Sequence, residues 1–176
     1  PGAELGALVY SPSSPRGPIV ILAHGYTGSK ETMDVPAGYL CSRGWRCVTF
    51  DFRGHKLGSS TGEMRHAADG VLDTRAAIAF ARRRFGADEA ALVGHSYGGS
   101  VALAAAAEDP AVVAVAVMGT GRSVASGFDT PAGDSLMALR GDYVRGAPAA
   151  VILAEAATLS ERHPEPRFLS VHRRAR

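Results

Sequence analysis

Residues 91–99 read Ala-Leu-Val-Gly-His-Ser-Tyr-Gly-Gly, and few chain arrangements satisfy them. An apolar run reaches Gly94, a serine follows two residues later, two glycines come next, and an alanine-rich helical pattern begins. A strand must therefore give way to a helix almost at once. A turn that tight holds Ser96 at positive φ, a strained conformation for any residue with a side chain. Side chains at positions 94 and 98 would collide with the neighbouring strand and with the helix start, so glycine stands at both. The same geometry lifts the Ser96 hydroxyl clear of the sheet. It also points the first amides of the helix at the place where a negatively charged oxygen would form. Gly-x-Ser-x-Gly is a common pattern, and a glycine-rich loop is its plain alternative. Its position between a strand pattern and a helix pattern makes Ser96 the candidate nucleophile.

The rest of the chain supplies a sheet for this turn to rise from. Residues 18–23, Pro-Ile-Val-Ile-Leu-Ala, form a β-branched run without polar alternation, as expected of a strand buried on both faces of a parallel sheet. Strands are also predicted over 45–52, 90–93 and 111–118, with a shorter extended stretch over 4–10 that closes in Ser- and Pro-rich turn formers. Helices are predicted over 33–43, 69–84 and 99–108, stopped by Gly44, Gly86 and Asp109-Pro110 respectively. On the second helix, Leu72, Ala76, Ala79 and Phe80 share a stripe expected to face the core, with Asp73, Arg75, Arg82 and Arg83 mostly opposite. The Arg82-Arg83-Arg84 run reads as a solvated helix end that complements the dipole. This alternation predicts an α/β fold, a doubly wound and mostly parallel sheet, with ligands beyond the carboxyl ends of the strands. Tyr26, His55, Ser96 and Thr120 all fall at such ends.

Bulk properties narrow the function classes. A length of 176 residues suits one domain, and 46% hydrophobic with 20% charged residues suits a soluble chain with a real core. The net charge of +2 gives no footing for a nucleic-acid partner. Cys41 and Cys47 lack metal-ligand spacing and read as reduced, packed thiols. No segment approaches a membrane span and the N-terminus lacks a signal-peptide layout, so a cytoplasmic location is the expectation. The loop at 24–30, His-Gly-Tyr-Thr-Gly-Ser-Lys, is not a Walker P-loop, because Ser29 stands where a glycine must precede the lysine. Nor does a Gly-x-Gly-x-x-Gly follow this strand, and the reading calls for no cofactor and no metal. His24 is expected to fix its loop by hydrogen bonds. Asp51, Arg53 and His55 are expected to serve structural pairing that closes the next loop rather than a charge relay. The oligomeric state is open.

Three motifs then carry a resemblance: His24-Gly25-Tyr26-Thr27-Gly28; Asp51-Phe52-Arg53-Gly54-His55 with Gly58-Ser59-Ser60-Thr61-Gly62 behind it; and Gly94-His95-Ser96-Tyr97-Gly98-Gly99. From Leu5 to about Gly121 the chain resembles the α/β-hydrolase superfamily, and it looks most like bacterial serine esterases of the feruloyl-esterase and monoglyceride-lipase type. The resemblance implies an α/β-hydrolase fold and a serine hydrolase that cleaves a carboxylic ester or thioester through an acyl-enzyme on Ser96. It also implies an oxyanion hole made by the backbone N–H groups of Tyr26 and Tyr97. The partner would be a small-molecule acyl ester or thioester. An acyltransferase, or a non-catalytic module binding a ligand or a protein, is the alternative on the same fold.

The sequence departs from the family pattern in two places. Lys56 stands where a glycine commonly follows the histidine, which bears on the shape of that loop. After the core sheet at 1–121, residues 122–163 read as a cap-like or helical insert and 164–176 as the start of a later strand. The family's triad runs serine, acid, histidine. Here the strand-like stretch ends at His172, and Arg173-Arg174-Ala175-Arg176 stands where glycine and aspartate would follow. Asp129, Asp134 and Asp142 remain as candidate acids and His163 as a candidate base. With Pro1 in place of an initiator methionine, the expectation is an incomplete fold, part of a longer hydrolase whose acid and base lie beyond Arg176.

Overall fold

The computed structural model describes residues 2–55, 58–66 and 68–118. Lys56, residues 119–121, the expected insert at 122–163, the expected start of a later strand at 164–176 and the candidates Asp129, Asp134, Asp142, His163 and His172 lie outside the described residues. Among the described residues, five strands form one sheet: β1 (Ala7–Tyr10), β2 (Ile19–Ala23), β3 (Cys47–Phe50), β4 (Ala90–His95) and β5 (Val112–Met118), in the order β1-β3-β2-β4-β5. β1 runs antiparallel to β3, and the other three pairings are parallel. Three helices connect them: α1 (Asp34–Ser42), entered through a 3-10 turn at Lys30–Met33, α2 (Asp69–Phe85) and α3 (Tyr97–Glu108). This is the doubly wound, mostly parallel arrangement that the sequence predicts.

The unbroken apolar run of β2 is explained by what lies on its two sides. Ile19, Ile21 and Ala23 join a core with Val48, Phe50, Leu92 and the inner faces of α2 and α3. Val20 and Leu22 point the other way, into a second core with Met33, Ala37 and Cys47. Successive strand residues face opposite sides, so a central strand covered on both has no place for a polar residue. On the α1 side the sheet carries an apolar groove of about 730 Å³, floored by Val20, Ala91, Val93 and Ala116 and reaching His95 and Met118 at its upper end.

α2 has the predicted length but a different phase. Its buried stripe is Gly70, Val71, Thr74, Ala77, Ile78 and Ala81, and it also includes Asp73. Leu72 and Phe80 are 53% and 41% exposed. The two stripes differ by one residue, about 100° around the helix. The inward face carries Val71 and Ile78 with smaller residues around them, and Asp73 is held there by an ion pair. Ile78→Ala is therefore expected to cost about 2–5 kcal/mol of stability. Leu72→Ala should stay within about 0.5 kcal/mol, as at an ordinary surface position. Urea midpoints at unchanged slope test the pair, and equal losses would restore the stripe read from the sequence.

Candidate active site

β4 ends at His95 and α3 begins at Tyr97, so Ser96 alone makes the turn. It is the only non-glycine with positive φ among the described residues, at φ 52° and ψ −115°. Its amide donates to the Met118 carbonyl at 2.8 Å, and its carbonyl accepts from Gly99 and Ser100 at 3.1 and 3.2 Å. The backbone is thus tied to the next strand and to the first turn of the helix. The hydroxyl does not cap α3. Both flanking glycines are required by contact. A Cβ at position 94 would lie 2.5 Å from the Gly99 Cα, and one at position 98 would lie 2.5 Å from the His24 carbonyl oxygen and overlap that of Ala23.

The sheet order explains where this turn sits. From β2 the chain moves to β3 on one side, and later from β4 to β5 on the other, so the loops after β2 and β4 diverge at adjacent strand ends. Such a switch point opens a crevice above the sheet. The loop after β2 meets Ser96 there: a Cβ on Gly25 would lie 3.4 Å from the Ser96 Cβ and 2.9 Å from the His95 Nδ1. Tyr26 follows and is 67% exposed, with its ring edge-on to those of Tyr97 and His55, each at 6.1 Å. Tyr97 is buried against Phe52, 5.1 Å between ring centroids, with its hydroxyl 3.5 Å from the Met64 Sδ. Burial, helped by the Asp73 charge, pushes its phenol well above the usual range. Tyr97 opens α3, so its N–H lies in the first turn, at the positive end of the helix dipole. Ser96, Tyr26 and Tyr97 are brought together at one strand-end crevice.

The neighbouring charged groups are paired within the fold: Asp51 binds both the loop that follows β3 and the loop after β2, and Arg53 reaches α2. His24 is fully buried, its Nδ1–H donating to the Gly25 carbonyl at 2.7 Å and its Nε2 accepting from the Phe52 N–H at 3.3 Å. Those partners assign a neutral ring, and burial lowers its pKa. Asp51 is fully buried and receives the Lys30 ammonium at 2.8 Å, the Lys30 N–H at 2.7 Å and the Ser59 N–H at 2.9 Å. Desolvation pulls its pKa up, but the bonds from Lys30 and Ser59 outweigh that and hold the carboxyl below the usual range. Arg53 donates to Asp73 through Nε and Nη2 at 2.8 and 2.7 Å. Asp73 is 1% exposed, which corrects its predicted place on the outer face of the helix. His55 packs edge-on to His24 at 4.6 Å. Lys30 and Asp73 are the residues that sequence reasoning missed. Their partners lie 21 and 20 residues away, and no local pattern marks them. Among the described residues, no group of three or more His, Cys, Asp or Glu side chains could hold a metal ion.

A profile of the alpha/beta hydrolase fold matches residues 18–162. The quorum-quenching protein AidA of Acinetobacter baumannii is 32% identical over 119 residues, covering 64% of this chain and 38% of that protein. Epoxide hydrolase B of Mycobacterium tuberculosis is 30% identical over 145 residues, covering 76% of this chain and 38% of that enzyme. The chain therefore spans 38% of the length of each of these relatives. An alpha-beta serine hydrolase homologue from Coxiella burnetii has a TM-score of 0.60 at 19% identity, covering 76% of this chain and 62% of that one, a likeness of fold. The matched segment takes in β2 to β5, the loop after β2 and the strained turn at Ser96. By that match the chain belongs to the alpha/beta hydrolase fold family.

Proposed function

We propose that the protein is a serine hydrolase that cleaves a carboxylic ester or thioester through an acyl-enzyme on Ser96. The observation that carries this reading is the strained, uncapped serine at the strand-to-helix turn, with the loop after β2 against it. Ser96 Oγ adds to the carbonyl carbon while its proton passes to a general base. The carbonyl π pair moves onto oxygen, which the Tyr26 and Tyr97 N–H groups receive. Collapse breaks the bond to the leaving alcohol or thiol, which takes the proton from the base. Water then repeats the sequence and releases the acid. In this reading the base and its carboxylate partner belong to the chain after β5.

The similarity to an epoxide hydrolase raises a second chemistry, which the nucleophile itself disfavours. A serine oxygen that opens an epoxide becomes an ether, which water does not cleave, whereas an acyl group on the same oxygen is a hydrolysable ester. Short-chain nitrophenyl esters, the matching thioesters and a styrene-type epoxide should be offered to the protein, with and without hydroxylamine. Turnover of the acyl substrates to free acid is expected, with the epoxide untouched. Epoxide opening without ester turnover would overturn the reading. Hydroxamate formed at the expense of free acid is expected as capture of the acyl-enzyme, whereas transfer of the acyl group to an added alcohol in preference to water would reassign the protein as an acyltransferase.

A further inference from the structure

The loop after β2 is pinned on both sides of Tyr26 by two adjacent residues at the end of β3. Before Tyr26, the His24 ring accepts from the Phe52 N–H at 3.3 Å and donates to the Gly25 carbonyl at 2.7 Å. After it, the two oxygens of Asp51 receive the Lys30 N–H at 2.7 Å and the Lys30 ammonium at 2.8 Å. Between these anchors the Gly28 N–H closes onto the Gly25 carbonyl at 2.9 Å, so Tyr26 and Thr27 form the middle of a tight turn. Asp51 is itself fixed. Its amide donates to the Gly6 carbonyl at 2.9 Å, and its carbonyl accepts from the Ser60 hydroxyl at 2.7 Å.

A buried ion pair is a poor way to gain stability, because desolvation consumes most of the attraction and an apolar pair of similar volume does as well. What an apolar pair cannot do is fix direction. One carboxylate that takes both the backbone and the side chain of one residue sets where that residue lies and how its peptide is turned. The Lys30 side chain is 11% exposed and that of Asp51 is closed off completely, so water does not substitute for either.

We propose that Lys30 and Asp51 are positioning residues that, with His24, hold the Tyr26 amide where an oxyanion forms; this rests on the acyl-enzyme reading above. Oxyanion donors act by being in place before the charge develops, so a slack loop lowers the rate of the chemical step without loosening ground-state binding.

The test measures kcat and KM on a nitrophenyl ester, fluorophosphonate labelling of Ser96, and thermal unfolding, for the whole protein and four variants. Lys30→Met is expected to lower kcat and the labelling rate together, by roughly tenfold to a hundredfold, less than deletion of an oxyanion donor. KM should stay within about twofold, since substrate binding in the ground state is untouched. Lys30→Arg should recover most of the loss. Arg53→Leu breaks the other internal ion pair of this end, which joins β3 to α2 without touching the loop after β2. It should lower the unfolding temperature and leave kcat near that of the parent. Should Lys30→Met fail to fold, Asp51→Asn, which keeps the volume and removes the charge, is judged by the same ratio. A folded Lys30→Met or Asp51→Asn with parental kcat, or one that loses no more than Arg53→Leu, overturns the assignment. A parent protein that neither turns over nor labels at Ser96 removes the acyl-enzyme reading, and the positioning role falls with it.

Discussion

Ser96→Ala is expected to lower ester turnover by at least about 10⁴-fold and to abolish fluorophosphonate labelling, as loss of a nucleophile does. The fold should be unmoved. The hydroxyl does not cap α3, and the backbone bonds to Met118, Gly99 and Ser100 involve no side-chain atom. Alanine keeps the strain at positive φ. Glycine relieves it, so Ser96→Gly should be more stable than Ser96→Ala by about 1 kcal/mol, at the low end of what such a backbone conformation costs. Tyr26→Phe supplies the contrast. Its ring is 67% exposed and, in the proposed mechanism, only its amide contacts the reacting oxygen, so activity should stay within roughly threefold of the parent. Equal losses from Tyr26→Phe and Ser96→Ala would mean that the phenol acts directly. Turnover surviving in Ser96→Ala would place the nucleophile elsewhere and end the acyl-enzyme proposal. Rates and melting curves on the three variants decide among these.

What was legible in the sequence was whatever is decided locally. The strand at 18–23 shows itself because both of its faces are covered, leaving a run with no polar residue. The turn at Ser96 shows itself because close backbone approach admits only glycine at 94 and 98, and those residues are four apart. The phase of α2 was not legible. Hydrophobic size favours Leu72 and Phe80 for the core, while close packing favours Val71, Ala77 and Ala81, and a single sequence gives no sign of which criterion governs. The buried charges were not legible either. Lys30 and Asp73 are polar residues that look solvated until Asp51 and Arg53 are brought to them across the sheet end. The strained turn at Ser96 could be read from the spacing of its glycines, but the long-range pairings of Lys30 with Asp51 and of Arg53 with Asp73 could not.

Gly98→Ala is expected to destabilise the protein, and the sign of the effect follows from two opposed terms. Position 98 lies inside α3, where replacing glycine with alanine in a free helix gains about 1 kcal/mol. Against that, the new methyl group would overlap the Ala23 carbonyl oxygen and lie 2.5 Å from that of His24. Neither carbonyl can retreat far. Ala23 ends a central strand paired to β3 on one side and β4 on the other, and the His24 ring is bonded to Gly25 and Phe52. Relief must come from moving α3 away from β2, and overpacking of that kind costs about 1–3 kcal/mol or more. With two backbone oxygens that cannot retreat, the clash falls at the upper end of that range and outweighs the helix term, so a net loss of up to about 2 kcal/mol is expected, along with a shift of the Ser96 turn and of the loop beside it. Gly38→Ala is the matched control. Position 38 lies in α1 with nothing within 4 Å of an added Cβ, so there the helix term acts alone and should stabilise by about 0.5–1 kcal/mol. Urea unfolding of both variants, with labelling of Ser96 below the transition, separates the terms. If Gly98→Ala matched Gly38→Ala in stability and labelled at the parental rate, α3 would not lie against β2 closely enough to demand glycine, and the strained turn would have lost its physical cause.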